Sequence, residues 1–251
     1  MSAREFENFV GVVKRLRREC PWDREQTHES IRYALIEEAY EVVESIENRN
    51  LEELKKELGD LLLHVVFHTS IAEEKEEFEL NEVIEHITEK LIRRHPHVFG
   101  DVKVSGPQEV KKNWEKIKLM EGRTSVVDGV PRELPALLRA LRVQDKASKV
   151  GFDWKKKEDV WKKVLEELRE LEQEANAANH EQIEEELGDL LFAIVNYARF
   201  LHTNPEYALR RTVDKFIERF QYIETKLKEQ GKDITKTTLA EMDKLWEEAK
   251  R

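Results

Sequence analysis

The stretch EELKKELGDLLLHVVF, residues 52–67, decides how this chain is read. Its apolar residues recur at intervals of three and four, the period of an α-helix with one buried face. Glu57 and Asp60 nevertheless interrupt that face where Leu or Ile would be expected. The same interruption returns in EEELGDLLFAIVNY, residues 184–197, where Glu186 and Asp189 keep the spacing. Upstream stand Glu38-x-x-Glu41 and Glu167-x-x-Glu170, and in both halves fifteen residues separate the second Glu from the next acidic pair. A polar pattern repeated at such a distance points to two related halves.

Further polar residues follow the repeat. Cys-Pro-Trp-Asp at 20–23 faces Val-Gly-Phe-Asp-Trp at 150–154, each a loop with an aromatic and an Asp. After a four-residue slip, Lys90-x-x-x-Arg94 matches Lys215-x-x-x-Arg219, and Trp114-x-x-x-Lys118 matches Trp246-x-x-x-Lys250. The halves differ seven residues past the second acid, where the first has Phe67 and the second Asn196. His64 and His68 stand against Ala193 and Tyr197, and the pair reads as packing or as support for the site.

Only nine Gly and six Pro punctuate the chain, and convincing strand alternation is missing. The spacing predicts helices over 3–18, 27–47, 51–76, 80–94 and 107–120, then 133–148, 157–176, 180–202, 205–230 and 236–250. The expected fold is all-α, a tandem repeat of two helical-bundle domains at 1–120 and 136–251, with EGRTSVVDGVPRELP at 121–135 as the linker.

Charged residues make up 38% of the chain and the net charge is −10, which argues against a surface that tracks nucleic-acid phosphates. Cys20 is alone, so no intrachain disulfide is expected. The N-terminus lacks a signal-peptide layout, and no apolar run is long enough for a membrane helix. A cytoplasmic protein is expected. Outer helix faces sparing in Phe, Ile and Leu predict a homodimer that completes the core.

Residues three apart share a helix face, so each acidic pair presents its carboxylates side by side. Two antiparallel helices joined near 48–50 would assemble four of them, and four unpaired charges resist burial. A hard divalent cation removes that penalty, and an all-oxygen set suits Mg²⁺, with Mn²⁺ as the alternative. The Lys and Arg pairs supply donors for phosphate oxygens. Trp114 and Trp246 read equally as packing or as platforms for a base. Asn196 offers a donor and an acceptor to a ribose or base, which makes the second half the expected principal site.

These residues resemble the MazG family of nucleoside triphosphate pyrophosphohydrolases. The likeness runs through CPWDREQTHESIRYALIEEAYEVVESI, ELGDLLLHVVFH, RRHPHVFGD and GVPRELPALLRALRVQDKASKVGFDW. It implies hydrolysis of a nucleoside triphosphate between the α- and β-phosphates, giving a monophosphate and pyrophosphate. It assigns Mg²⁺ binding and catalysis to Glu38, Glu41, Glu57 and Asp60 in one half, and to Glu167, Glu170, Glu186 and Asp189 in the other. It also implies a dimeric all-α bundle, breadth in the base, and leaves open a side activity on pyrophosphate. Two other readings compete: a catalytically weak acidic scaffold, and a di-iron protein, for which Glu25-x-x-His28 is the single ExxH match. No phosphate-loop motif and no His-Asp dipeptide is present.

Overall fold

The computed structural model describes residues 3–121, 124–177 and 179–250. Among them the chain is helical and contains no strand. It falls into two compact units, Met1–Val110 and Lys111–Arg251.

The first unit holds α1 (Ala3–Glu19), α2 (Pro21–Glu25), α3 (His28–Glu47), α4 (Leu51–Glu74), α5 (Leu80–Arg94) and α6 (Pro96–Phe99), and α7 (Pro107–Met120) begins at its end. Thr27 starts α3 with a reciprocal cap, its side chain accepting from the Ser30 amide while the Ser30 hydroxyl oxygen accepts from the Thr27 amide. Asn50 caps α4 by accepting from the Glu53 amide, and Arg49, with φ of 55°, turns the chain back between α3 and α4. The two helices therefore pack as a hairpin. Val13 of α1, Ile31 of α3, and Val66, Phe67 and Ile71 of α4 form its core. Arg17, only 5% exposed, donates to the carbonyls of Asp23 and Gln26, pairs with Glu74 and lies over the Phe67 ring. It thereby ties α2 and the following loop to α1 and α4.

The second unit repeats the hairpin with α9 (Lys157–Ala177) and α10 (His180–Phe200). Helix α8 (Ala136–Lys149) packs on α10, and α11 (Pro205–Glu229) packs on α8 and α12 (Leu239–Glu248). Val160, Val164, Ala193 and Val195 are buried along the hairpin, while Ile223, Leu227 and Leu245 join α11 to α12. Asn204 caps α11 ahead of Pro205, and Thr238 forms a capping box with Glu241 at α12.

The long helices match the sequence reading closely. Two short ones, α2 and α6, and a 3-10 turn at Ile234–Lys236 are additions; α8 starts at Ala136 rather than 133, directly after Pro135, and α12 starts at Leu239 rather than 236, after its Thr238 cap. No helix among the described residues is long and apolar enough to cross a membrane.

Candidate metal and substrate site

The hairpins bring the acids together. In the first unit, carboxylate oxygens of Glu38 and Glu41 on α3 and Glu57 on α4 lie within 4.8 Å of one another. In the second, Glu167 on α9 and Glu186 and Asp189 on α10 do the same. The remaining member of each quartet is felt electrically: Asp60 by Glu38, and Glu170 by Glu186. Glu57 and Glu167 are buried, at 8% and 6% exposure.

Crowding shows in their acidities. Burial pushes the Glu57 carboxyl up to about 7, reinforced by hydrogen bonds shared with Glu41 and Glu53. Glu38 is raised by burial and then by Glu41 and Asp60. Glu186 is raised by burial and then by Glu170, Glu167 and Asp189. For Glu170 the hydrogen bond with Glu167 comes first and burial second. Converging, partly buried carboxylates that oppose one another's ionisation are the donor set a hard divalent cation satisfies, so the residues fit a metal in both units.

In the second unit Glu167 and Asp189 line a cavity of about 380 Å³, walled by Phe152, Trp154, Val160 and Phe192. Asn196, 6% exposed, faces it, and its carbonyl accepts from Arg199 Nε at 3.1 Å and Nη2 at 2.9 Å. Arg199 in turn pairs through Nη1 and Nη2 with the carboxylate of Asp153 in the 150–156 loop. In the first unit the corresponding stripe is filled: Phe67 lies in the core under Arg17, and His68 Nδ1 meets His28 Nδ1 at 2.8 Å with the rings 2° from parallel. Burial holds His64 and His68 below the usual histidine range.

The model of the MazG nucleotide pyrophosphohydrolase domain matches residues 26–99 and 155–223, the two hairpins with all eight acids. The chain belongs to the MazG family. It is 46% identical over 250 residues to the Thermotoga maritima nucleoside triphosphate pyrophosphohydrolase/pyrophosphatase MazG, covering 98% of this chain and 95% of that protein. It is 41% identical over 256 residues to the Escherichia coli nucleoside triphosphate pyrophosphohydrolase, covering 98% and 97%. A crystal structure of a mazG-related protein from Thermotoga maritima aligns with a TM-score of 0.41 at 28% identity, over 45% of this chain and 98% of that one. As a MazG member, the chain is an enzyme of the nucleoside triphosphate pyrophosphohydrolase class.

Of the other expected substrate residues, Lys215, Arg219, Trp246 and Lys250 of the second unit are not among those lining the cavity. Arg219 sits 5.4 Å from the centre of the Trp246 ring, which also meets Phe216 and packs on the α11–α12 core. Lys250 pairs with Glu247, and Lys215 is exposed on α11. Lys118, buried, lies 4.1 Å from the centre of the Trp114 ring, and both fall beyond Val110. Lys90 and Arg94 are half-buried on α5. Three cavity residues escape the sequence reading: Lys163, Arg199 and Gln144. Lys163 pairs with Glu167 at 2.6 Å and Glu166 at 2.7 Å, and its position four residues before Glu167 was the available signal.

Proposed function

We propose that the chain hydrolyses nucleoside triphosphates between the α- and β-phosphates with Mg²⁺, and that the second unit is the principal site. The observation that carries this reading is the cavity joined at one end to Glu167 and Asp189 and at the other to the fixed amide of Asn196. Glu167, Glu170, Glu186 and Asp189 would hold the metal. When bound, a divalent ion neutralises polyphosphate charge and makes a coordinated water more acidic. Lys163 places a cation at that same end, where the polyphosphate charge falls. A carboxylate of the quartet not committed to the metal would orient the attacking water. The apolar walls take the nucleoside, which suits breadth in the base, and the same acids would act slowly on pyrophosphate. Glu38, Glu41, Glu57 and Asp60 would bind a metal without an equivalent nucleoside pocket, so the first unit would be weaker or partly structural.

A homodimer belongs to this reading. Gly59 and Gly188 lie inside α4 and α10, where Gly costs about 1 kcal/mol against Ala. An added methyl at either would meet nothing within 4 Å among the described residues, which leaves room there for a second copy to approach. Leu187 and Leu191 beside Gly188 are both exposed, as are Leu209, Val213, Phe216 and Ile217 along one face of α11. Lys215, Arg219, Trp246 and Lys250 are assigned to the substrate as a wall supplied by a second copy.

The test is pyrophosphate release from ATP by the full chain. It should require Mg²⁺ or Mn²⁺, stop on chelation, and fall about 100-fold or more in Glu186→Gln with helical content unchanged. Metal-independent release, or full activity in the variant, would refute the reading.

A further inference from the structure

The geometry points to Gln144 as the residue that reads the base edge in the second unit's cavity. This rests on the proposed reading of that cavity as the nucleotide site. Gln144 lies on α8, is 7% exposed and lines the cavity. Its Nε2 donates to the Phe192 carbonyl at 2.8 Å, across to α10. A carbonyl can only accept, so this bond fixes which end of the amide is nitrogen. The opposite end, Oε1, is buried and has no hydrogen-bond partner among the described residues.

A buried amide oxygen without a donor is uncommon and unfavourable. Here it belongs to a side chain held by its other end at the wall of an apolar cavity. Asn196 is fixed in the complementary sense: Arg199 occupies its Oδ1, which leaves the NH₂ group as the donor. Two residues lining the cavity thus keep an unpaired amide oxygen on α8 and an amide NH₂ group on α10, each side chain held at its other end by a bond within the protein. The pairing edge of each ordinary base carries a donor beside an acceptor: amino and ring nitrogen in adenine and cytosine, ring N–H and carbonyl in guanine and uracil. Two amides of opposite sense suit any of these and exclude a base whose edge has no donor. A site built to accept a hydrogen bond discriminates against the analogue that lacks it, because the buried acceptor stays unpaired in the complex.

The probe is purine riboside 5′-triphosphate, which lacks the 6-amino group of ATP. Its use is compared with that of ATP by pyrophosphate release from the full chain carrying Glu38→Gln and Glu41→Gln, so that the second unit alone turns over. With Gln144 intact, kcat/KM should be about 10- to 100-fold lower for the analogue. In Gln144→Met the two substrates should converge to within about threefold, chiefly through loss on ATP. Should that variant fail to fold, Gln144→Asn, which keeps the amide and shortens its reach, reads the same ratio. Equal use of both substrates with Gln144 intact, as when a water satisfies Oε1, overturns the assignment, and so does a ratio unchanged by the substitutions. Absence of release from either substrate sinks the reading of the cavity itself, and the role of Gln144 with it.

Discussion

Without metal, Glu57 ionises only against burial and the neighbouring carboxylates of Glu41 and Glu53. Its folded pKa, about 7, lies above the ordinary 4.5, so the folded state holds this proton more tightly than the unfolded state. Stability from this group is present below 4.5 and is lost as pH rises through about 7. His64 and His68 act oppositely, since depressed histidines favour the folded state increasingly as pH rises towards 6.5. Comparing a variant with the parent cancels that contribution. Glu57→Gln should melt higher than the parent at pH 8 in chelator, with the gap closing by pH 5. A gap that is constant with pH would mean that the carboxylate is not under this strain. At this scale the acids were legible, because charge on an apolar helix stripe conflicts with burial and needs a reason. Gln144 and Arg199 were not. A polar residue on an amphipathic helix looks solvent-facing until packing sets a carbonyl or Asp153 opposite it, 48 and 46 residues away in sequence.

The α9–α10 hairpin holds the acids, but Phe152, Asp153 and Trp154 of the 150–156 loop also line the cavity, and an ion pair ties that loop to α10. Arg199 spans from α10 to Asp153 while fixing Asn196. Arg199→Met should therefore release both loop and amide, raising KM for ATP about tenfold while kcat changes less than about threefold. Equal losses in both parameters would place Arg199 in the chemical step instead. Helices of three turns or more were readable because they repeat the 3.6-residue period several times. Helices α2 and α6, at five and four residues, repeat it hardly once. Their signal was the proline in the first turn, Pro21 and Pro96, which suits a helix start and a turn equally. The sequence difference between Asn196 and Phe67 has a structural counterpart: Asn196 lines the cavity, whereas Phe67 lies in the first unit's core.

Across the molecule, two units share one pattern of acids and differ in what lies beside it. The exposed apolar faces of α10 and α11 and the unexplained glycines in α4 and α10 predict a homodimer near twice 29.8 kDa in sedimentation. Gly188→Leu should weaken it, whereas a monomeric parent at micromolar concentration would contradict the packing account. The division of labour is tested most directly by crippling each quartet in the full chain and measuring Mg²⁺-dependent pyrophosphate release from ATP. Glu167→Gln with Glu170→Gln should lose about 100-fold or more, and Glu38→Gln with Glu41→Gln should keep most of the activity. Loss in the first-unit protein alone, with the second-unit protein still active, would contradict the assignment.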